Sequence, residues 1–505
     1  MRKTILVIAI WLTASVGYTQ SNPFQKKFSI IDRYIDSLME SWNIPGLALG
    51  IVYKDQLIYS KGYGYRDIEN KLPVESSTIF PIASNTKLFT ATAACMLAEE
   101  GKINLDKPVR NYLPSLHFSN DELDASVTMR DMLSHRTGLP RYDGIWVASP
   151  YTRKEIIDKV AQMKPQMRFR EGYIYNNMMF SASGAVMESI TGISWEDIIR
   201  KKLFQPLGMN ASCFTNEEMM QSRNFAYAYF EPDSSRRLQK RTFVSQSTAL
   251  GPAGTIKSNV EDMSHWIIAQ LNRGKYKGQQ IIPEAAIRQT LIPNTIADKE
   301  AKWNELSNSL YALGRVVQMY KGYKITTHTG SIDGYYSNLT FVPSENIAVY
   351  MVHNSIPGGS IRSVMALPVI DRLLNLSLTP WSERYLEEYR KSKMEEKKRK
   401  DSISATKVKN TVPSHSLNDY TGKYFNSTYE DVNIESQDGQ LWLLFRGQRS
   451  LLHHFHYDQF ITDEEASGRP DFRINFLTNT KGEIDKVSLQ PFGDPTTEFV
   501  KTSRK

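Results

Sequence analysis

Cysteine is nearly absent from this 505-residue chain: there are two, Cys95 and Cys213, too few for a disulfide framework. Cys95 lies in a strongly apolar helical stretch, where a thiol behaves as a small hydrophobe, and a single bond between the two is left open. Long apolar runs are also missing. The longest, Ile5–Leu12, follows Arg2 and Lys3 and precedes the small residues Ser15 and Gly17. It is far shorter than the ~20 residues of a membrane span and reads as a secretory signal over residues 1–20, giving an exported, soluble protein. Excess charge is lacking too. Lys and Arg number 62 against 54 Asp and Glu, and loss of the leader lowers the net +8 to about +6, which implies no nucleic-acid partner. No Gly-x-Ser-x-Gly and no His-Glu-x-x-His occurs, which disfavours an α/β-hydrolase and a zinc protease.

What is present is globular: 41% apolar and 23% charged residues, in a length that holds two or three domains. Residues 29–43 read as a helix, and Gly46–Tyr53 and Gln56–Tyr65 as strands joined at Lys54–Asp55. From Ser84 to Glu100 the chain is apolar almost all round, the mark of a buried helix, which Gly101 ends. Ala182–Ile190 is helical, and strands return at Tyr323–Thr327, Tyr335–Val342 and Ile347–His353. Strands at both ends with helices between predict an α+β domain over 21–381, one antiparallel sheet covered by helices. Residues 382–410 form a charged linker helix, with six basic and two acidic residues in Lys391–Lys400. A solvated connecting face is favoured there over contact with an anionic lipid or polymer. Residues 411–505 alternate apolar residues between turns and read as a small all-β barrel. Its His453, His454 and His456 have no partner at a metal-ligand spacing.

Chemistry concentrates at Ser84-Asn85-Thr86-Lys87. Positions i and i+3 on a helix share a face, which sets the hydroxyl beside the amine. A serine hydroxyl is inert near neutral pH until something takes its proton, and a desolvated lysine has its pKa lowered enough to help. Serine also favours helix N-caps and Lys87 has a surface reading, but an apolar helix makes a buried amine costly without a purpose. Two further elements follow in order: Tyr175-Asn176-Asn177 and His328-Thr329-Gly330.

With these three motifs the sequence resembles the class C β-lactamase and penicillin-binding-protein-like serine hydrolases, in which Ser-x-x-Lys, Tyr-x-Asn and Lys/His-Thr-Gly line one cleft. The resemblance covers residues 29–380 and includes Leu133–Pro140 and Gly251-Pro252-Ala253-Gly254, which look like the family's structural loops. It implies that Ser84 attacks an acyl carbon, Lys87 holds or relays its proton, and Tyr175 acts as base and then as acid toward the leaving group. A phenol near its ordinary pKa of ~10 needs positive charge such as Lys87 beside it to act as a base. Asn177 is expected to bond substrate or Lys87, with a helix N-cap as the competing role. Gly330 is expected to let the strand backbone approach the substrate, and the Ser331 N–H to join that of Ser84 as oxyanion hole. His328 departs from the usual lysine and is mostly neutral at pH 7, which favours esterase, D-aminopeptidase or acyltransferase chemistry over β-lactam turnover.

From Leu417-Asn418-Asp419-Tyr420-Thr421-Gly422 onward the chain resembles the lipocalin-like barrels appended to some of these hydrolases. The resemblance implies hydrolysis of a small ester, amide or short peptide through an acyl-enzyme, with no cofactor and no metal. Two other readings remain: an acyltransferase to an alcohol or amine, and a non-catalytic penicillin-binding receptor, which loss of Ser84, Lys87 or Tyr175 would have favoured.

Overall fold

A computed structural model of the chain describes residues 24–502 except 148, 150, 233–234, 242–247, 463–471 and 492–493. The expected signal segment lies outside the described residues. A nine-stranded antiparallel sheet forms the first domain. In chain order its strands are β1 (Gly46–Tyr53), β2 (Gln56–Asp67), β3 (Leu72–Pro73), β4 (Thr295–Asp298), β5 (Ser309–Tyr311), β6 (Val316–Tyr320), β7 (Tyr323–Ile332), β8 (Tyr335–Val342) and β9 (Ile347–His353). Their order in space, β4-β5-β6-β7-β8-β9-β1-β2-β3, places the first strands of the chain beside the last.

Both faces of the sheet are covered, which explains why β1 reads as a continuous apolar run. Its alternate residues Leu47, Leu49 and Ile51 pack against Phe28, Ile31, Ile35 and Leu38 of α1 (Gln25–Trp42). On the other face Gly50 gives room to Val260, whose Cγ1 would lie 2.6 Å from a Cβ there. That second face carries α2 (Thr86–Glu99) and α3 (Asn177–Thr191). Every residue of α2 from Thr86 to Leu97 is buried, as an interior helix with no polar face must be. Cys95 and Cys213 are both buried free thiols, so the pairing left open by the sequence is not formed.

A long helix, Trp381–Ala405, buries only its first residue fully and leads to the second domain. There eight strands between Gly422 and Lys501 close into an antiparallel barrel filled by side chains such as Tyr424, Ile434, Leu443, Phe476 and Phe499. Among the described residues no group of three His, Cys, Asp or Glu is placed to hold a metal ion, and no helix is long and apolar enough to cross a membrane.

Candidate active site

The nucleophile candidate does not open α2 directly. Ser84 sits one step earlier, in a single 3-10 turn, Ala83–Asn85, that runs into the helix. Ala83 takes a left-handed φ of 50°, uncommon for a residue with a Cβ and maintained here by packing on all sides. Ile82 N–H donates to Ile256 O at 2.9 Å, Asn85 Nδ2 donates to Ser337 Oγ at 2.7 Å, and Ser337 Oγ donates to Ile82 O at 2.7 Å. The turn is thereby fastened to the β7–β8 hairpin.

Gly330 belongs to this fastening. A Cβ on it would lie 2.2 Å from Ile82 O, 2.3 Å from Ser337 Oγ and 3.0 Å from Ala83 Cβ. The space left by the missing side chain is thus taken by the nucleophile turn.

Lys87 is completely buried, and its Nζ lies 3.1 Å from Ser84 Oγ, 2.8 Å from Asn177 Oδ1 and 2.7 Å from Ala253 O. Burial, reinforced by the positive charge of Arg141, holds this amine well below the ordinary lysine range against the opposing pull of Asp143. The geometry suits the neutral form. An –NH2 has two protons, which the carbonyls of Asn177 and Ala253 accept, and its lone pair is then left for the third direction, where the Ser84 hydroxyl stands.

Tyr175 completes the group. Its hydroxyl lies near Ser84, and its ring centroid is 4.8 Å from Lys87 Nζ and 5.1 Å from the Arg141 guanidinium carbon. Burial nevertheless pushes the phenol above its usual range, more than Ser84 and Arg141 pull it down. The electrostatics therefore favour a protonated Tyr175 beside an unprotonated Lys87.

Asn177 is not the cap of α3. The side chain of Asn176 accepts the N–H of Met179 at 3.2 Å, which frees Asn177 to face Lys87 while its Nδ2 donates to Asp143 Oδ1 at 3.1 Å. On the opposite wall His328 is buried, with Nδ1 2.7 Å from Thr329 O and Nε2 3.0 Å from the Tyr311 hydroxyl. These partners fix one tautomer, Nδ1–H donating and Nε2 accepting. Burial and nearby Lys87 push the imidazole down to about 3, so it is neutral throughout the physiological range.

Ser331 is exposed at the end of β7, opposite Tyr336. The two-residue turn Asp333–Gly334 closes on the Ile332–Tyr335 pair, so with alternating antiparallel pairing the N–H of Ser331 points away from β8. On that side β6 ends at the pair Val316–Thr327, which leaves the β7 edge open beside Ser84.

Three participants were invisible in the sequence, Asp143, Arg141 and Tyr311, and Ala253, whose carbonyl accepts from Lys87, was noted only within a structural loop. His135, noted only within a structural loop, lies with its ring centroid 4.4 Å from that of Tyr175, and its Nδ1 accepts the N–H of Asn176 at 3.1 Å. Only its place in the Leu133–Pro140 loop hinted at such a role.

The sequence profile of the family described as Beta-lactamase matches residues 31–368, and that of a domain of unknown function, DUF3471, matches residues 406–503. The chain belongs to the β-lactamase family. This β-lactamase-family chain is 26% identical over 448 residues to the unguisins hydrolase ungD' of Aspergillus campestris, across 86% of the chain and 80% of that protein. It is also 26% identical over 329 residues to protein flp of Staphylococcus aureus, across 64% of the chain and 62% of flp. Among solved structures it is similar to the octameric penicillin-binding protein homologue from Pyrococcus abyssi, with a TM-score of 0.61, 22% identity and coverage of 94% of this chain and 100% of that one. SurE follows, with a TM-score of 0.58, 18% identity and coverage of 94% and 99%. At these identities the structural likeness is one of fold, and it extends through the C-terminal barrel.

Proposed function

We propose that this family member is an exported serine hydrolase of the class C type, which forms an acyl-enzyme on Ser84 and releases an acid from a small ester, amide or short peptide. One observation carries the reading: the buried Lys87 amine has its two donor directions occupied by carbonyls and its third directed at Ser84 Oγ. Neutral Lys87 takes the Ser84 proton as Oγ bonds to the acyl carbon. The backbone N–H groups of Ser84 and Ser331 receive the developing oxyanion, and Tyr175, protonated and close to Ser84, passes a proton to the leaving group. Water then attacks the acyl-enzyme with the same groups in reverse roles. Export is proposed on the leader-like residues Arg2 to Gly17 alone.

His328 bears on the substrate. Where a lysine would offer a carboxylate a fixed positive charge, this imidazole is neutral and both its nitrogens are engaged. We therefore favour uncharged esters or amides over penicillins. The test is turnover of p-nitrophenyl esters, D-amino-acid amides and a penicillin, with and without an added alcohol. Release of free acid, with esters or amides preferred, is expected. Diversion of the acyl group to the alcohol would instead support a transferase, and a folded chain that turns over nothing would support a binding protein.

A further inference from the structure

The C-terminal barrel reaches the catalytic residues from behind. Asp494, in the segment between the strands Ile484–Leu489 and Thr497–Lys501, is only 7% exposed. Its Oδ2 accepts the N–H of Gly144 at 2.8 Å and the Tyr429 hydroxyl at 2.9 Å. Gly144 makes the approach possible: a Cβ there would lie 2.7 Å from Asp494 Oδ2, 3.0 Å from Pro491 O and 3.0 Å from Tyr429 Cε1. Barrel and hydrolase domain thus meet through a buried carboxylate set on bare main chain.

The main chain so gripped is the short helical turn Asp143–Trp146, preceded by Tyr142 with φ 42° and ψ 51°, a left-handed conformation that a tyrosine holds only under external constraint. The turn presents Asp143 to the active site. Asp143 Oδ1 accepts Asn177 Nδ2 at 3.1 Å and Trp146 Nε1 at 2.9 Å, while Oδ2 pairs with Arg141 at 2.6 Å. Asn177 then turns Oδ1 toward Lys87, 2.8 Å away. An amide carries an acceptor on one side and donors on the other, and Asp143 is the acceptor that selects this orientation.

We propose that Asp494 of the C-terminal barrel is a positioning residue for acylation of Ser84: it holds the 141–146 turn so that Asp143 fixes the Asn177 amide in the orientation Lys87 requires. This inference rests on the Ser84 acyl-enzyme reading. It makes the barrel a working part of the catalytic unit, coupled to Ser84 through the series Asp494, Asp143, Asn177, Lys87.

The test uses the full chain and a fluorophosphonate. Ser84 Oγ bonds to phosphorus, fluoride leaves, and the serine proton passes to Lys87. Labelling followed by intact mass over a range of probe concentrations separates binding from the limiting rate. Asp494→Ala is expected to lower the limiting rate by about tenfold to a hundredfold, the scale of a misplaced catalytic group, without raising the half-saturating concentration. Asp494→Asn, whose amide oxygen still accepts from Gly144, should restore most of that rate. Gly144→Ala, made from the hydrolase side, should reproduce the loss even if Asp494→Ala fails to fold. In an Asp143→Ala background, Asp494→Ala should cost almost nothing more, because both act through one link. An Asp494→Ala chain that labels like wild type, or losses that multiply in full, would overturn the inference and leave Ser84 untouched. A wild-type chain that does not label would remove the acyl-enzyme reading first, and this inference with it.

Discussion

Lys87 is placed where an ammonium is hardest to keep: fully buried, with Arg141 adding repulsion and, among the described residues, no carboxylate hydrogen-bonded to it. Acylation needs its neutral form, so the rate should rise with pH through the Lys87 pKa and then level off. Because burial lowers that pKa, the rising limb should lie well below the usual lysine range in a profile of kcat/KM against pH. Lys87→Arg keeps a positive charge but cannot give up its proton, and should slow acylation by about 10²–10⁴-fold in a stopped assay with a p-nitrophenyl ester. Ser84, Lys87, Tyr175 and His328 were legible in the sequence because each sits in a short motif whose spacing carries the chemistry. Asp143 and Tyr311 were not. They reach Asn177 and His328 across long stretches of chain, and only the packing of whole elements reveals the pairing.

At the scale of elements, the active site is a joint between the 3-10 turn ahead of α2 and the β7–β8 hairpin. Gly330 is the point of closest approach, and adding a methyl group means moving the backbone carbonyl of Ile82. Gly330→Ala should therefore destabilise the fold by about 1–3 kcal/mol, as overpacking does, and should slow labelling of Ser84 through displacement of Ala83. Thermal denaturation and labelling rate read the two effects separately. The buried helix and the strands β1, β2, β8 and β9 were readable from long apolar or alternating runs. β4, β5 and β6 were not, since they hold three to five residues each and derive their regularity from the neighbours they pair with. Whether Asn177 caps α3 was left open for a related reason: Asn176 and Asn177 are identical in chemistry, and only where the helix begins decides which one caps it.

For the whole molecule, the contact between barrel and hydrolase domain should answer to pH. Burial, helped by the Asp143 carboxylate across the junction, raises Asp494 to about 6 from 3.8, although the Tyr429 hydroxyl and the N–H groups of Asp143 and Gly144 oppose the shift. Arg446 faces Tyr429 in the same region. A carboxyl with a raised folded-state pKa binds its proton more tightly when folded, so its contribution to stability is complete below about pH 4 and is lost as pH rises to about 6. Asp494→Asn mimics the protonated form. It should exceed wild type in stability by about 2–3 kcal/mol at pH 7.5, with the difference vanishing near pH 4, in denaturant titrations at the two pH values. The two-domain order itself was legible from the charged helix between the domains, whereas the docking was not, because a buried aspartate in a loop looks like any other turn residue.

That Ser84 carries the acyl group is tested most directly by intact mass and peptide mapping of the chain after brief exposure to a fluorophosphonate or a slowly released ester. One adduct per chain is expected, on Ser84, absent from Ser84→Ala and nearly absent from Lys87→Arg. An adduct on another residue, or one that persists in Ser84→Ala, would contradict it.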